Sequence, residues 1–316
     1  MGVYDMNKNS IAGLVTSVLG EDFTFPNEIK GIPSKLTDFE GLEIDSFETS
    51  DGVELKYWAI GTGKPLIFLP GWSGNGTHFI NVMYLLREKY RVYSLDFRNQ
   101  GLSEKVYYGN RISRYATDVK EFTEHLGIKS ADFAGHSMGA AVLWSYIDLY
   151  GTQGINKIAF VDQPPSILSR SGMTEEERLN AGVMYDHAEQ LISAFTSENG
   201  PPIMDSSVNA PNTPYSENSR SLSSQFIKKD MKYMILIMFD HCSNDWRDVI
   251  TKKINVPTAI FTGKYSQHLP SQRWMHSVMP NSTLYVYSKE EHGDHFLIAK
   301  NPVKFAKDLQ NFLEGE

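Results

Sequence analysis

The chain of 316 residues contains a single cysteine, Cys242. One thiol cannot pair within its own chain, so a disulfide-stapled scaffold is excluded. No apolar run approaches the ~18 residues that suggest a membrane-spanning helix. Basic residues are in deficit: 30 Lys and Arg against 38 Asp and Glu give a formal charge of −8. With no basic run either, the sequence argues against a dedicated nucleic-acid binder. Paired cysteines and H-E-x-x-H are both absent, so no metal is expected. A nucleotide-type glycine loop is absent too, so no cofactor is expected. The apolar stretch 11–19 is preceded only by Lys8 and lacks the basic leader and long core of a secretory signal; a short amphipathic helix or frayed arm is expected there. Met6 stands where an acylation signal following Gly2 wants Ser or Thr. What is present is 41% hydrophobic and 12% aromatic residues, too rich for a disordered chain. The expectation is a soluble, cytoplasmic globular protein.

From residue 44 onward, short apolar segments alternate with helical ones. Segments 44–49, 53–60, 65–69, 90–95, 131–134, 157–161, 257–262 and 283–287 read as strands. The first two are joined at Ser50-Asp51-Gly52, a hairpin turn. Segments 79–89, 112–126, 138–150, 271–278 and 303–313 have helical spacing. This alternation predicts an α/β fold with a mostly parallel, eight-stranded sheet flanked by helices. The pattern breaks between Gln163 and Lys253. Thr174 to Glu177 is a capping box opening a helix that runs towards Phe195. Gly200 to Ser224 is rich in Pro, Ser and Asn, without a period, and reads as a loop. A second helical segment begins at Gln225-Phe226. The expected division is an N-terminal arm (1–43), a core (44–162 and 254–316) and a helical cap inserted after the sixth strand (163–253).

The strongest motif is Gly135-His136-Ser137-Met138-Gly139, a G-x-S-x-G between a strand and a helix. A serine on so tight a turn is raised above the sheet, and its flanking glycines avoid collisions. The helix that follows points N–H groups at developing negative charge. Ser137 is therefore the candidate nucleophile. The oxyanion donors expected for acyl transfer are the main-chain N–H groups of Met138 and of Trp72, in the loop Leu69-Pro70-Gly71-Trp72-Ser73-Gly74 after the third strand.

With these motifs, the chain from about residue 44 resembles the α/β-hydrolase fold family, and within it the non-haem chloroperoxidase-like hydrolases and esterases. Asp96-Phe97-Arg98-Asn99-Gln100-Gly101-Leu102-Ser103 is similar to that group's D-x-R-G-x-G-x-S. Asn99 replaces a glycine, a change that asparagine tolerates because it accepts left-handed backbone. Gln100 replaces a common histidine. Asp294-His295-Phe296 followed by Asn301-Pro302 matches the family's C-terminal pattern, which implies His295 as general base, with His292 the competitor. In many family members the acid follows the seventh strand in G-x-x-D-x-x-x-P. Here that segment is Gly263 to Pro270 with Ser266 at the acid's place, and serine carries no charge to stabilise an imidazolium. Other branches of the fold, lactonases of macrocyclic lactones and cofactor-free quinolone dioxygenases, place the acid after the sixth strand. That implies Asp162, with Asp245 second and Asp294 disfavoured as the neighbour of the histidine.

The resemblance implies a serine hydrolase that cleaves a small hydrophobic carboxylic ester or lactone through an acyl-enzyme. Perhydrolysis would be a side reaction of the same residues. Alternatives are a cofactor-free dioxygenase and a small-molecule receptor. The Met and aromatic residues of the insertion, among them Met184, Tyr185, Met231, Tyr233, Met234, Met238 and Phe239, are expected to supply part of a pocket ceiling. Cys242 is expected to be an inert buried thiol.

Overall fold

In the computed structural model, which describes residues 11–196 and 210–315, eight strands form one sheet. They are β1 (Glu43–Glu48), β2 (Glu54–Ile60), β3 (Lys64–Leu69), β4 (Tyr90–Leu95), β5 (Ala131–His136), β6 (Ile155–Val161), β7 (Thr258–Gly263) and β8 (Ser282–Tyr287). Their spatial order is β1-β2-β4-β3-β5-β6-β7-β8. Only the β1–β2 and β2–β4 pairings are antiparallel; every pairing from β4 to β8 is parallel. The sequence explains the difference. β1 at the edge alternates buried and accessible residues, whereas β5 and β7 are buried along their whole length, because helices cover both faces of the parallel part. Helices Ile112–His125, Met138–Tyr150 and Leu269–Val278 pack on one face. Ile80–Leu86 and Pro302–Glu314 pack on the other.

The D-x-R segment ties these layers together. Arg98 is fully buried and bidentate to both Asp118, at 2.8 and 2.7 Å, and Asp51, at 2.9 and 3.0 Å. It thus joins the β1–β2 hairpin turn to helix Ile112–His125. Asn99 has the left-handed backbone expected of it, with φ of 68°. Its side-chain amide grips both the N–H and the C=O of Val106, at 2.7 and 2.9 Å. Asp96 accepts hydrogen bonds from the N–H groups of Gly76 and Leu102, which fixes the turn after β3.

Two segments of the insertion, 200–224 and 174–195, differ from the sequence expectation, whereas the N-terminal stretch 11–19 is helical. Helix Ile11–Leu19, one of the two forms expected there, leads into residues that bury Val15, Phe25, Leu36, Phe39 and Leu42 in the core cluster that also holds residues of Pro302–Glu314. Gly2 and Met6 lie outside the described residues. Of the stretch predicted as loop from Gly200 to Ser224, residues 200–209 also lie outside them, but Pro214–Phe226 is a helix. Its buried face is mostly polar, with Ser216, Asn218, Ser219 and Ser223 inward beside the single apolar Leu222, so no hydrophobic period marks it. Asn218 exchanges hydrogen bonds with the backbone of Asn27 at 2.9 Å, and Asn81 and Asn75 reach Ser219 and Ser223. The N-terminal segment therefore braces the insertion between β6 and β7. The single helix expected from Thr174 to Phe195 is two, Glu175–Ala181 and Ala188–Thr196, separated where Gly182 turns left-handed at φ 75°. Helical turns from Met231 to Ser243 and at Arg247–Lys252 complete the insertion. Among the described residues no helix is long and apolar enough to cross a membrane.

Candidate active site

Ser137 sits between β5 and helix Met138–Tyr150 with φ 52° and ψ −128°, a region that side chains rarely occupy. Its N–H is held by the Val161 carbonyl at 2.9 Å. The flanking glycines are obligatory here. A Cβ on Gly139 would lie 2.2 Å from the Leu69 carbonyl oxygen, and one on Gly135 2.7 Å from the Ala140 nitrogen. The loop after β3 packs directly on the serine: a Cβ on Gly71 would be 2.8 Å from Ser137 Cβ and 3.3 Å from its Oγ. Trp72 follows in that loop, and its indole N–H donates to the Met234 carbonyl of the insertion at 2.7 Å. Met138 is the first residue of its helix, so its N–H has no intrahelical partner.

At the end of β6, Asp162 is fully buried and, like Ser137, has positive φ, at 54°. His295 Nδ1 donates to Asp162 Oδ2 at 2.8 Å. That bond points Nδ1–H at the carboxylate and leaves Nε2 as the ring nitrogen that Asp162 does not engage, the atom a general base would use. The Thr262 hydroxyl donates to Oδ1 at 2.5 Å and the Ser266 hydroxyl to Oδ2 at 2.7 Å. Burial works to raise the Asp162 pKa. The His295 hydrogen bond, the nearby His268 and the Thr262 hydroxyl outweigh it and hold the carboxyl well below the usual range. Ser266 thus helps orient the carboxylate of Asp162 at the end of the neighbouring strand.

The structure separates the competing residues. Asp245 is engaged by Arg247, at 2.7 Å, and not by a histidine. Asp294 points to Lys300 and to the N–H of Ala210. His292 is turned outward, its Nδ1 3.1 Å from the Pro211 carbonyl. Ser137 Oγ has no hydrogen-bond partner among the described residues, and its link to His295 runs through the adjacent residue. His136 Nε2 donates to the His295 carbonyl at 2.7 Å, and the two rings lie 4.8 Å apart. Asp162, His268 and His295 are the one group among the described residues with donor atoms placed to hold a metal ion, within 4.8 Å of one another; in this state a proton bridges two of them. Within the insertion, Tyr185, Met234 and Met238 are buried, whereas Met231 and Phe239 are about half exposed, at 50% and 56%, so these two face away from any enclosed pocket. Cys242 is buried, which pushes its thiol up to about 12.

Sequence reasoning missed Thr262, Ser266 and His268 as the shell around Asp162. The signal was the retained spacing of Gly263 and Pro270: the loop keeps its path, and Ser266 faces Asp162.

Burial depresses four histidines: His136 to about 3, with His295 beside it, and His78, His241 and His268 to about 4. Each stays neutral in the fold while its unfolded counterpart protonates near 6.5. Between about pH 4 and 6.5 the unfolded chain binds more protons, so stability falls as pH falls, by up to about 1.4 kcal/mol per pH unit for each group. The thermal midpoint is expected to drop steadily from pH 7 to pH 5. His241→Gln, remote from Asp162, should flatten that slope; an unchanged slope would remove His241 from the account.

Comparison with known proteins adds the following. A family model described as alpha/beta hydrolase fold matches residues 64–297. A non-heme chloroperoxidase of Kitasatospora aureofaciens is 24% identical over 281 residues, covering 84% of this chain and 98% of that protein. Among solved structures, an esterase from Exiguobacterium antarcticum superposes with a TM-score of 0.68 at 22% identity, covering 85% of this chain and 98% of the esterase. An enzyme described as degrading N-acyl homoserine lactones superposes at 0.65 with 19% identity, covering 85% of this chain and all (100%) of that one. At these identities the structural likenesses establish the fold.

Proposed function

Since the chain belongs to the α/β-hydrolase family, we propose that it is a serine hydrolase that opens a carboxylic ester or lactone bearing a hydrophobic group. The observation that carries this reading is the His295–Asp162 hydrogen bond at 2.8 Å beside a serine held on a strained elbow. In the proposed reaction, Ser137 Oγ attacks the carbonyl carbon and His295 Nε2 takes its proton. Negative charge on the carbonyl oxygen is held by the N–H groups of Met138 and Trp72. His295 then returns the proton to the leaving oxygen, which departs as the alcohol. Water, deprotonated by the same nitrogen, releases the acid and restores the serine. Asp162 fixes the imidazole tautomer and stabilises its charged form. On this reading residues 163–253 act as a cap over the site and govern substrate choice, and the N-terminal segment steadies the cap through Asn27 and Asn218. Names of relatives point to esters, a lactone and halide chemistry, and the reaction common to the first two is attack on an acyl carbon. The test is turnover of a panel of short- and medium-chain aryl esters and lactones by the purified chain, with Ser137→Ala as control. Serine-dependent turnover of any of them supports the reading. Hydrolysis of none, or hydrolysis that the control retains, overturns it.

A further inference from the structure

His295 lies in a loop held by His136 and Asp162 and by further contacts. One of them is a buried ion pair outside the triad. Asp294 and Lys300 are 1% and 5% exposed and bonded to each other. Asp294 Oδ1 accepts the N–H of Phe296 at 2.8 Å, so its side chain closes a turn around His295. The other oxygen, Oδ2, accepts the N–H of Ala210 at 3.0 Å, while Lys300 Nζ donates to the carbonyl of the same residue. Ala210 belongs to the insertion, far along the chain, and is gripped at both its N–H and its C=O. The grip extends further: the Thr213 hydroxyl donates to the Lys300 carbonyl at 2.8 Å, and His292 Nδ1 meets the Pro211 carbonyl at 3.1 Å. Thr213 in turn caps helix Pro214–Phe226.

We propose that Asp294 and Lys300 are positioning residues: a buried clamp that fastens residues 210–213 of the insertion to the loop of His295 and thereby sets the imidazole on Asp162. Two charges taken out of water together are a poor source of stability compared with apolar residues of the same volume, whereas removing one partner leaves the other buried and uncompensated. A pair in that position fits a role in geometry better than one in stability. Each charge also answers a backbone dipole of Ala210 of the matching sense, so insertion and histidine loop hold each other in register. The proposal rests on the reading of His295 as the base, yet its effect on the imidazole can be seen without turnover.

The informative variant is the charge-neutral double replacement Asp294→Asn with Lys300→Met, because it leaves no lone buried charge. Lys300→Arg is the conservative control. Three quantities are read: amide exchange at residues 210–213, the far-downfield proton resonance of His295 Nδ1–H, and the KM-against-kcat split on any ester the chain turns over. Expected in the double variant are at least about tenfold faster exchange, a broadened or shifted Nδ1–H resonance and a kcat lowered about tenfold or more with KM changed less. Lys300→Arg should restore most of each. A sharp, unshifted Nδ1–H resonance despite loosened residues 210–213 would overturn the proposal and leave the pair as a fastening of the insertion alone. Unchanged exchange at 210–213 overturns it as well. If no ester is turned over by the parent chain, the resonance still decides, and the failure then belongs to the proposed reaction and not to the clamp.

Discussion

Replacing Asp162 with Asn should lower kcat on any ester substrate by about 10⁴ with the fold intact, as expected when the imidazole loses its orienting carboxylate and takes the wrong tautomer. Asp245→Asn should stay within about twofold, because that carboxylate is engaged by Arg247 and contributes no charge at His295. The more demanding form of this prediction concerns Ser266. Its hydroxyl lies 2.7 Å from the same Asp162 oxygen that His295 Nδ1 reaches at 2.8 Å. A carboxylate placed on residue 266 therefore arrives beside the imidazole from the seventh strand. In the Asp162→Asn background, Ser266→Asp should recover at least about tenfold of the lost kcat. In the parent chain the same change crowds two carboxylates together, which pushes one of them towards the protonated form, and it should lower activity. Steady-state kinetics on the four proteins read the outcome. Activity surviving in Asp162→Asn would move the acid elsewhere.

The second large effect is that of Ser137→Ala. Loss of the nucleophile in enzymes of this mechanism costs about 10⁶ in kcat, leaving the contribution of oxyanion binding alone. The substitution removes only a half-buried hydroxyl that has no hydrogen-bond partner among the described residues, so the thermal midpoint should hardly move. The strained backbone of the elbow persists, since alanine at φ 52° suffers no less than serine. A loss of activity accompanied by unfolding would leave the role of the hydroxyl unproved; an unchanged midpoint with activity gone assigns it. Substantial residual turnover would exclude acyl transfer through this residue.

How much of this was readable in the residues follows from where the information lies. The central strands were legible because their apolar runs are short, as burial on both faces requires, β7 being buried throughout; the segments 90–95 and 138–150 coincide with β4 and with the helix after the elbow. Ser137 was legible because the glycines around it admit no side chain. Asn99 announced its left-handed backbone. Asp162 became the choice only through what Ser266 lacks, and in the structure that serine donates to the Asp162 carboxylate. What escaped was polar packing. Helix Pro214–Phe226 turns serines and asparagines inward, so hydrophobic period says nothing of it, and its partners Asn27, Asn75 and Asn81 are far away in sequence. The Asp294–Lys300 clamp escaped for the same reason: two charged residues in a loop read as surface until the fold encloses them. Helix Ile11–Leu19 was visible as a segment, but its docking against β1 and the turn Leu36–Asp38 depends on contacts among residues that no local pattern connects.

The central claim is that Ser137 is a nucleophile activated by His295 and Asp162. The most direct measurement is reaction of the purified chain with a serine-directed fluorophosphonate, followed by peptide mass spectrometry to locate the adduct. The account predicts a single stoichiometric adduct on Ser137, formed far more slowly in Asp162→Asn and absent in Ser137→Ala. No adduct on the folded parent chain, or an adduct on a different residue that persists in Ser137→Ala, would contradict it.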